Sequence, residues 1–131
     1  MILKHLVPVA LLAGPLWAAE PMDGAAFDAY TRGNTLIYGQ GGTAYGVEEY
    51  LEDHRVRWSF LDGQCQEGRW YEQAGQICFV YENRSDAQCW TFTQGAGGLV
   101  ARFENRPDAL ELYEAENSKE PMLCLGPKTG V

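Results

Sequence analysis

Alternating apolar and polar positions run through most of the chain. The clearest case is Arg55–Leu61, where Val56, Trp58 and Phe60 alternate with arginine and serine. A period of two residues is typical of a strand with one buried face. Turn sequences such as Asp62-Gly63 separate these segments. The pattern predicts about eight short antiparallel strands joined by local hairpins.

The predicted strands succeed one another at hairpin spacing. They are Thr35–Tyr38, Thr43–Leu51, Arg55–Leu61, Gln64–Gln73, Gln76–Glu82, Ala87–Gln94, Leu99–Glu104 and Leu110–Tyr113. One short helix, Met22–Arg32, precedes them, with Asp23 suited to cap its start and Gly33 to end it. A meander of this length closes into a lipocalin-like barrel or stays a curved sheet with the helix across one face. We expect a mainly β domain of the barrel-like form.

The register of the hairpins decides which large rings share a face. Pairing across Asp62-Gly63 sets Phe60 opposite Cys65, but it leaves the later aromatic residues on the other side of the sheet. A β-bulge at Gly68 removes this conflict. One face then carries six rings that line either a filled core or a ligand pocket. They are Trp58, Phe60, Trp70, Phe79, Trp90 and Phe92.

The four cysteines predict two structural disulfides. On the register with the bulge, Cys78 and Cys89 lie on one face of neighbouring strands, which favours their pairing and leaves Cys65 for Cys124. The second bridge then ties the C-terminal tail, Glu116–Val131, to the sheet. Successive cysteines are 13, 11 and 35 residues apart, without the close pairs of zinc or redox sites. We expect no metal or other cofactor.

The N-terminus predicts export. A short basic stretch precedes the apolar run Leu6–Leu16, which is too short to span a membrane and is followed by small residues. We interpret residues 1–18 as a signal peptide cleaved after Ala18, with an uncleaved anchor as the alternative. Residues 19–131 then form one domain with no further membrane span. We expect a periplasmic or secreted protein, since cysteines pair in oxidising compartments.

Charge narrows the possible partners. The chain of 131 residues has a net charge of −8, and signal removal takes away one lysine and no acidic residue. An acidic surface opposes binding to nucleic acid and to anionic lipid headgroups. An acidic surface is compatible with binding of cations and basic partners, although the need for solubility alone accounts for the acidic surface.

No group of residues has the spacing of a known catalytic motif, and we assign no catalytic, metal or cofactor-binding residue. The densest acidic cluster, which lacks a calcium-loop pattern, consists of Glu48, Glu49, Glu52, Asp53 and His54. It is typical of a solvated strand edge and turn. The sequence leaves open a pair of carboxylates that cleaves glycosides, but it does not identify which two residues would form the pair.

The sequence leaves three function classes open. The first is a non-enzymatic binding or accessory protein that takes a small apolar ligand or an envelope protein. The second is a cell-envelope enzyme or enzyme inhibitor acting through surface carboxylates. The third is a structural component of an envelope assembly, which a large flat apolar patch would indicate.

The segments FDAYTRGNTLIYG, YGVEEYL–RVRWSF and DGQC-x-x-GRWY–GQICFVYE–QCWTF resemble a family of small secreted bacterial proteins of unknown function. The resemblance covers roughly residues 27–103. The matching positions are Gly33, Tyr45, Gly46, Trp58, Cys65, Gly68, Trp70, Cys78, Phe79, Cys89 and Trp90. The resemblance implies export and a β-rich fold, and it carries no activity or catalytic residue to this chain.

Overall fold

The computed structural model describes residues 3–5, 8, 20–106, 108 and 110–124. Within them, one helix, α1 (Gly24–Thr31), precedes eight strands, and a 3₁₀ turn, Glu52–His54, joins the second strand to the third. The strands are β1 (Thr35–Gln40), β2 (Thr43–Tyr50), β3 (Arg55–Ser59), β4 (Gln66–Gln73), β5 (Gln76–Tyr81), β6 (Gln88–Gly95), β7 (Gly98–Phe103) and β8 (Glu111–Ser118). The predicted signal peptide lies outside the described residues, apart from positions 3–5 and 8.

The eight strands form a closed antiparallel barrel in which each strand pairs with its neighbours in sequence. β1 closes the barrel against β8, from Thr35 opposite Ser118 to Gly39 opposite Tyr113. The prediction of a mainly β, barrel-like meander with one N-terminal helix is confirmed, and closure decides against the open curved sheet. No helix in the described part of the chain is long and apolar enough to cross a membrane.

β8 is longer than predicted. Residues 116–118, which the sequence pattern assigns to the tail, pair with the start of β1. Their side chains are polar and exposed, so alternation has no apolar positions to detect there. The additional residues supply the pairing that closes the barrel.

The register between β3 and β4 differs by one residue from the predicted one. Trp58 lies opposite Gln66, and residues 60–65 form a loop in place of the predicted two-residue turn at Asp62-Gly63. Leu61 and Gly63 in this loop have positive φ angles of 69° and 82°. Because the loop absorbs the shift, the rings of β3 and β4 share a face without any insertion.

The predicted bulge at Gly68 is therefore wrong. Gly68 pairs with Val56 on one side and with Tyr81 on the other, and the register is continuous through both ladders. The irregularities of the barrel lie in β1, next to Tyr38. Gly68 is required for a different reason, since a Cβ there would come within 2.7 Å of the Tyr81 ring.

Helix α1 begins and ends where the sequence indicates, to within two residues. Asp23 is the N-cap, and its Oδ1 accepts a hydrogen bond of 2.8 Å from the Ala26 amide. Gly33 comes after the helix with φ at +81°. The buried face of the helix carries Phe27, whose side chain is fully enclosed.

Both predicted disulfides are confirmed. Cys78 and Cys89 lie directly opposite each other on β5 and β6 and are bonded. Cys65, in the loop between β3 and β4, is bonded to Cys124 and ties the segment after β8 to the barrel. The described residues include no free cysteine.

Candidate ligand-binding site

The two ends of the barrel differ. Alternate connections of an up-and-down barrel lie at the same end. Helix α1 covers the end that holds the β2–β3, β4–β5 and β6–β7 connections, which we call the helix end. There the Gly33 amide donates to the Tyr50 carbonyl at 2.8 Å, and the Gly24 amide donates to Glu72 Oε1 at 2.8 Å. The opposite end, which we call the open end, holds the β1–β2, β3–β4, β5–β6 and β7–β8 connections.

Phe27 seals the helix end from inside. Its ring lies 4.6–5.5 Å, between centroids, from the rings of Phe92, Trp70 and Tyr50. Tilted and edge-on contacts of this kind are favoured arrangements for aromatic pairs. The helix end of the barrel is thus filled by rings, which leaves any space for a ligand nearer the open end.

A cavity of about 170 Å³ lies in the barrel and reaches the open end. We call it the barrel cavity. Its lining is dominated by aromatic side chains from most strands. The lining residues are Tyr38, Tyr45, Glu48, Tyr50, Trp58, Phe60, Gln66, Phe79, Tyr81, Asn83, Arg84, Gln88, Trp90, Phe92, Ala101 and Leu112.

Glu48 is the one carboxylate among these lining residues. In β2 it shares the inner face with Gly46 and Tyr50, and its exposed fraction is 1%. The Tyr81 hydroxyl donates to Glu48 Oε1 at 2.8 Å. Glu48 Oε2 is buried and has no hydrogen-bond partner. A buried polar atom left unpaired costs about 1–3 kcal/mol, so this oxygen is a costly feature of the site.

Burial sets the ionisation of the groups around Glu48. It raises the pKa of the Glu48 carboxyl well above its usual range, against the opposing effect of the hydrogen bond from Tyr81. Burial also raises the pKa of the Tyr38, Tyr50 and Tyr81 hydroxyls. Tyr38 and Tyr50 hydrogen-bond to each other at 2.8 Å. Without a cation in the cavity, burial therefore favours the neutral form of every one of these groups.

Two glycines make room for rings of the cavity wall. A Cβ on Gly46 would lie 2.2 Å from a Trp58 ring atom, and a Cβ on Gly68 would lie 2.7 Å from the Tyr81 ring. Trp58 and Tyr81 both line the cavity. The two glycines thus fix the positions of one apolar wall and of the hydroxyl that holds Glu48.

The open end has an apolar and a polar side. Tyr45, Trp58 and Phe60 form a cluster with ring centroids 5.3–6.1 Å apart, and Phe60 is 51% exposed. On the polar side, the exposed Arg84 side chain is held by Asp86 through two hydrogen bonds of 3.1 and 2.8 Å. A ligand entering here meets rings on one side and amides with a paired arginine on the other.

Five of the six rings singled out from the sequence line the cavity. They are Trp58, Phe60, Phe79, Trp90 and Phe92. Trp70 does not, because it lies under the helix, where it contacts Phe27 and stacks on His54 at 3.7 Å between centroids. Phe60 is at the rim and largely exposed, so it is not a core residue.

Glu48 and the three tyrosines near it are members of one site that the sequence did not predict. The sequence places Glu48 in a solvated acidic cluster, which is wrong for this residue. Its position two residues before Tyr50 is a signal for an inward side chain, whereas Tyr45 and Val47 lie on the opposite face of the strand and suggest an outward one. That signal is weak because the inner face continues at Gly46, and a glycine does not reveal which face it occupies.

The acidic cluster is not a single site. Glu48 points inward, Glu49 is on the outer face and pairs with Arg57 at 3.1 Å, and Glu52 lies in the 3₁₀ turn. Across the described residues, no three His, Cys, Asp or Glu side chains are grouped so as to hold a metal ion. The expectation that the cluster is solvated holds for Glu52 and Asp53, which are exposed in the turn after β2, and fails for Glu48 and Glu49, which are buried within β2.

A second depression, on the outer face of β3, β4 and β5, is a weaker candidate. Arg55, Arg57 and Arg69 border it. Arg57 is already paired with Glu49 and Glu67. The depression lacks the buried, unpaired polar atom that distinguishes the barrel cavity.

The chain matches no protein-family model, no curated protein and no solved structure. The resemblance to small secreted bacterial proteins therefore stays a prediction, and the cavity is the basis for assigning a function.

Proposed function

We propose that this protein is an exported, non-enzymatic binding protein that holds one small, largely apolar ligand in the barrel cavity. The observation that carries the proposal is the unpartnered, buried Glu48 Oε2 in a cavity otherwise lined by rings. A ligand that donates a hydrogen bond to this oxygen removes the cost of leaving it unpaired, and its apolar part covers the rings.

The size of the cavity limits the ligand to about one ring with a short substituent. An apolar cavity of about 150 Å³ in another protein binds benzene. The barrel cavity, at about 170 Å³, is slightly larger and opens at one end. A longer ligand would extend past Phe60 into solvent.

A single carboxylate favours binding over hydrolysis of a glycoside. That reaction uses two carboxyl groups about 5–10 Å apart across the scissile bond. The described lining residues of the cavity supply Glu48 alone. The second function class, an enzyme acting through carboxylates, has no comparable observation in its favour.

Export is part of the proposal and is supported by two disulfides together with the predicted signal peptide. Expression of the full chain in a bacterium, followed by cell fractionation and N-terminal sequencing, tests it. We expect a periplasmic product that starts at Ala19. A full-length product that stays in the cytoplasm would refute export.

Ligand binding is tested by NMR titration of the indole N–H signals. Toluene, benzyl alcohol and benzylamine serve as one-ring probes. We expect the signals of Trp58 and Trp90, which line the cavity, to shift more than that of Trp70, which lies under the helix. Trp70 is thus an internal control.

A cavity-filling variant completes the test. Ala101 is buried in the cavity wall, and Ala101→Phe should abolish the shifts. Val100→Phe, on the preceding residue of β7 and outside the cavity lining, should leave them unchanged. If no probe shifts Trp58 or Trp90 at millimolar concentration, the cavity is not a site for small ligands.

A further inference from the structure

We propose that the barrel cavity selects an organic cation, namely a small primary amine whose ammonium group contacts Glu48 Oε2 while its apolar arm lies among the rings. This inference rests on the proposed function and names the chemical class of the ligand.

Glu48 lacks a positively charged partner. Oε1 already accepts a hydrogen bond from a neutral hydroxyl, that of Tyr81. None of the ion pairs among the described residues involves Glu48. A carboxylate taken out of water is strongly stabilised only by a paired positive charge with direct hydrogen bonds. The protein supplies none there, so Glu48 is neutral in the free protein and releases its proton to solvent when a cationic ligand completes the site.

The surface around the carboxyl also suits a cation. The faces of aromatic rings attract cations, and rings that surround an ammonium group recognise it in other proteins. Tyr50, Trp58, Phe79 and Tyr81 line the same cavity as Glu48 and come from three different strands. Aliphatic side chains would bind the apolar arm equally well, so the aromatic lining is better explained by a charged ligand than by a hydrocarbon.

The charge at the entrance favours an amine over an acid. Arg84 is the one cationic side chain among the described lining residues, and its hydrogen bonds to Asp86 leave this pair with no net charge. The whole chain has a net charge of −8, which raises the local concentration of cations. An amine therefore approaches the open end without a repelling charge, whereas a carboxylate ligand is repelled by the acidic surface of the protein.

Three one-ring probes of similar size test the inference by calorimetry or NMR titration at pH 7. They are benzylamine, benzyl alcohol and benzoate. A hydrogen bond to a charged group is stronger than one between neutral groups, and the difference in strength changes the affinity about tenfold. We expect benzylamine to bind about tenfold more tightly than benzyl alcohol, and benzoate to bind most weakly.

The variant Glu48→Gln keeps the shape of the side chain and removes its charge. We expect it to bind benzylamine and benzyl alcohol with affinities within about threefold, as the tenfold preference is lost. Glu49→Gln, the neighbouring position on the outer face of β2, should keep the wild-type preference.

The outcomes separate the two proposals. If benzyl alcohol binds wild-type protein as tightly as benzylamine, the cation inference is wrong and the proposed binding function stands. If the amine is preferred equally by Glu48→Gln, Glu48 is not its partner and the inference is wrong. If no probe binds, both proposals fail. The comparison on wild-type protein decides between amine and alcohol without relying on the variant.

Discussion

At the scale of single residues, Glu48 departs most from the behaviour that local sequence rules predict. An acidic side chain in an acidic segment is normally solvated. Here the alternation of β2 turns it into the barrel, where Tyr81 satisfies one of its oxygens and the other has no partner. A side chain that costs stability in this way is a candidate for function, because binding can recover the cost.

The first prediction concerns the pH dependence of stability. Burial raises the folded-state pKa of Glu48 above the value near 4.5 that an exposed glutamate has. Between these two pKa values the folded state holds a proton that the unfolded state has released. The free energy of unfolding should therefore fall as pH rises, by about 1.4 kcal/mol per pH unit for this group, starting near pH 4.5.

Urea unfolding of wild type and Glu48→Gln between about pH 4 and pH 8 measures this effect. We expect the free energy of unfolding of the variant to lack the decrease with pH that Glu48 causes, and we expect the variant to be more stable than wild type near neutral pH. Glu49→Gln removes a carboxylate that is paired with Arg57 and should bring no stabilisation. A Glu48→Gln variant that is less stable than wild type at neutral pH would contradict a buried carboxyl without a charged partner.

The second prediction concerns Gly46. In Gly46→Ala the new Cβ meets the Trp58 ring and the Ser59 carbonyl oxygen. Overpacking of this kind costs about 1–3 kcal/mol. We expect a loss of that size in urea unfolding, together with weaker binding of one-ring probes as Trp58 shifts. The exposed Gly97 has nothing within 4 Å of such a Cβ, so Gly97→Ala should change stability little. Equal effects of the two substitutions would refute the role of Gly46.

At the scale of elements, alternation was sufficient to predict the eight strands and the face on which most rings lie, and the capping residues Asp23 and Gly33 predicted the helix. Alternation was insufficient for register. Asp62-Gly63 has the chemistry of a two-residue hairpin turn, but the chain makes a longer loop from 60 to 65 with Leu61 at positive φ. A local pattern does not distinguish a bulge in a strand from an extra residue in a loop, because both reverse the face on which the next side chains lie.

The end of β8 was missed for another reason. Residues 116–118 owe their strand conformation to pairing with residues 35–37 of β1, which are distant in the chain. Such pairing is set by closure of the whole sheet. The cavity also depends on closure of the whole sheet, because the closed barrel determines how many rings have to fit inside it.

The third prediction concerns helix α1. Phe27 is fully buried and contacts rings from three strands, Tyr50, Trp70 and Phe92. Phe27→Ala should lower the free energy of unfolding by about 3–5 kcal/mol, since it removes a large ring and leaves a cavity. Ala29→Ser, on the exposed side of α1, should cost less than about 0.5 kcal/mol. If Phe27→Ala and Ala29→Ser lower the free energy of unfolding by similarly small amounts, the helix does not seal the barrel.

At the scale of the whole molecule, two disulfides cross-link a small barrel. Cys78–Cys89 closes a loop of 11 residues between neighbouring strands, whereas Cys65–Cys124 spans 59 residues. The longer link holds the segment after β8 against the β3–β4 loop, which also carries Phe60 at the rim. It thereby stabilises both the closed chain and the entrance of the cavity.

The fourth prediction compares the two links. Loop entropy predicts that replacing Cys78 and Cys89 by serine costs about 3 kcal/mol, and that replacing Cys65 and Cys124 costs about 4 kcal/mol. Urea unfolding of the two double variants under non-reducing conditions measures the difference. The reverse order, with the short link worth clearly more than the long one, would contradict this assignment of their roles.

Glu48 and the rings around it are, on this account, the binding site for a small amine. A crystal structure of the protein soaked with benzylamine would show whether Glu48 binds the amine. The claim predicts electron density for the ring within the barrel cavity and an ammonium nitrogen about 2.7–3.0 Å from Glu48 Oε2. A cavity that holds only water, or a ligand whose nitrogen points away from Glu48, would contradict it.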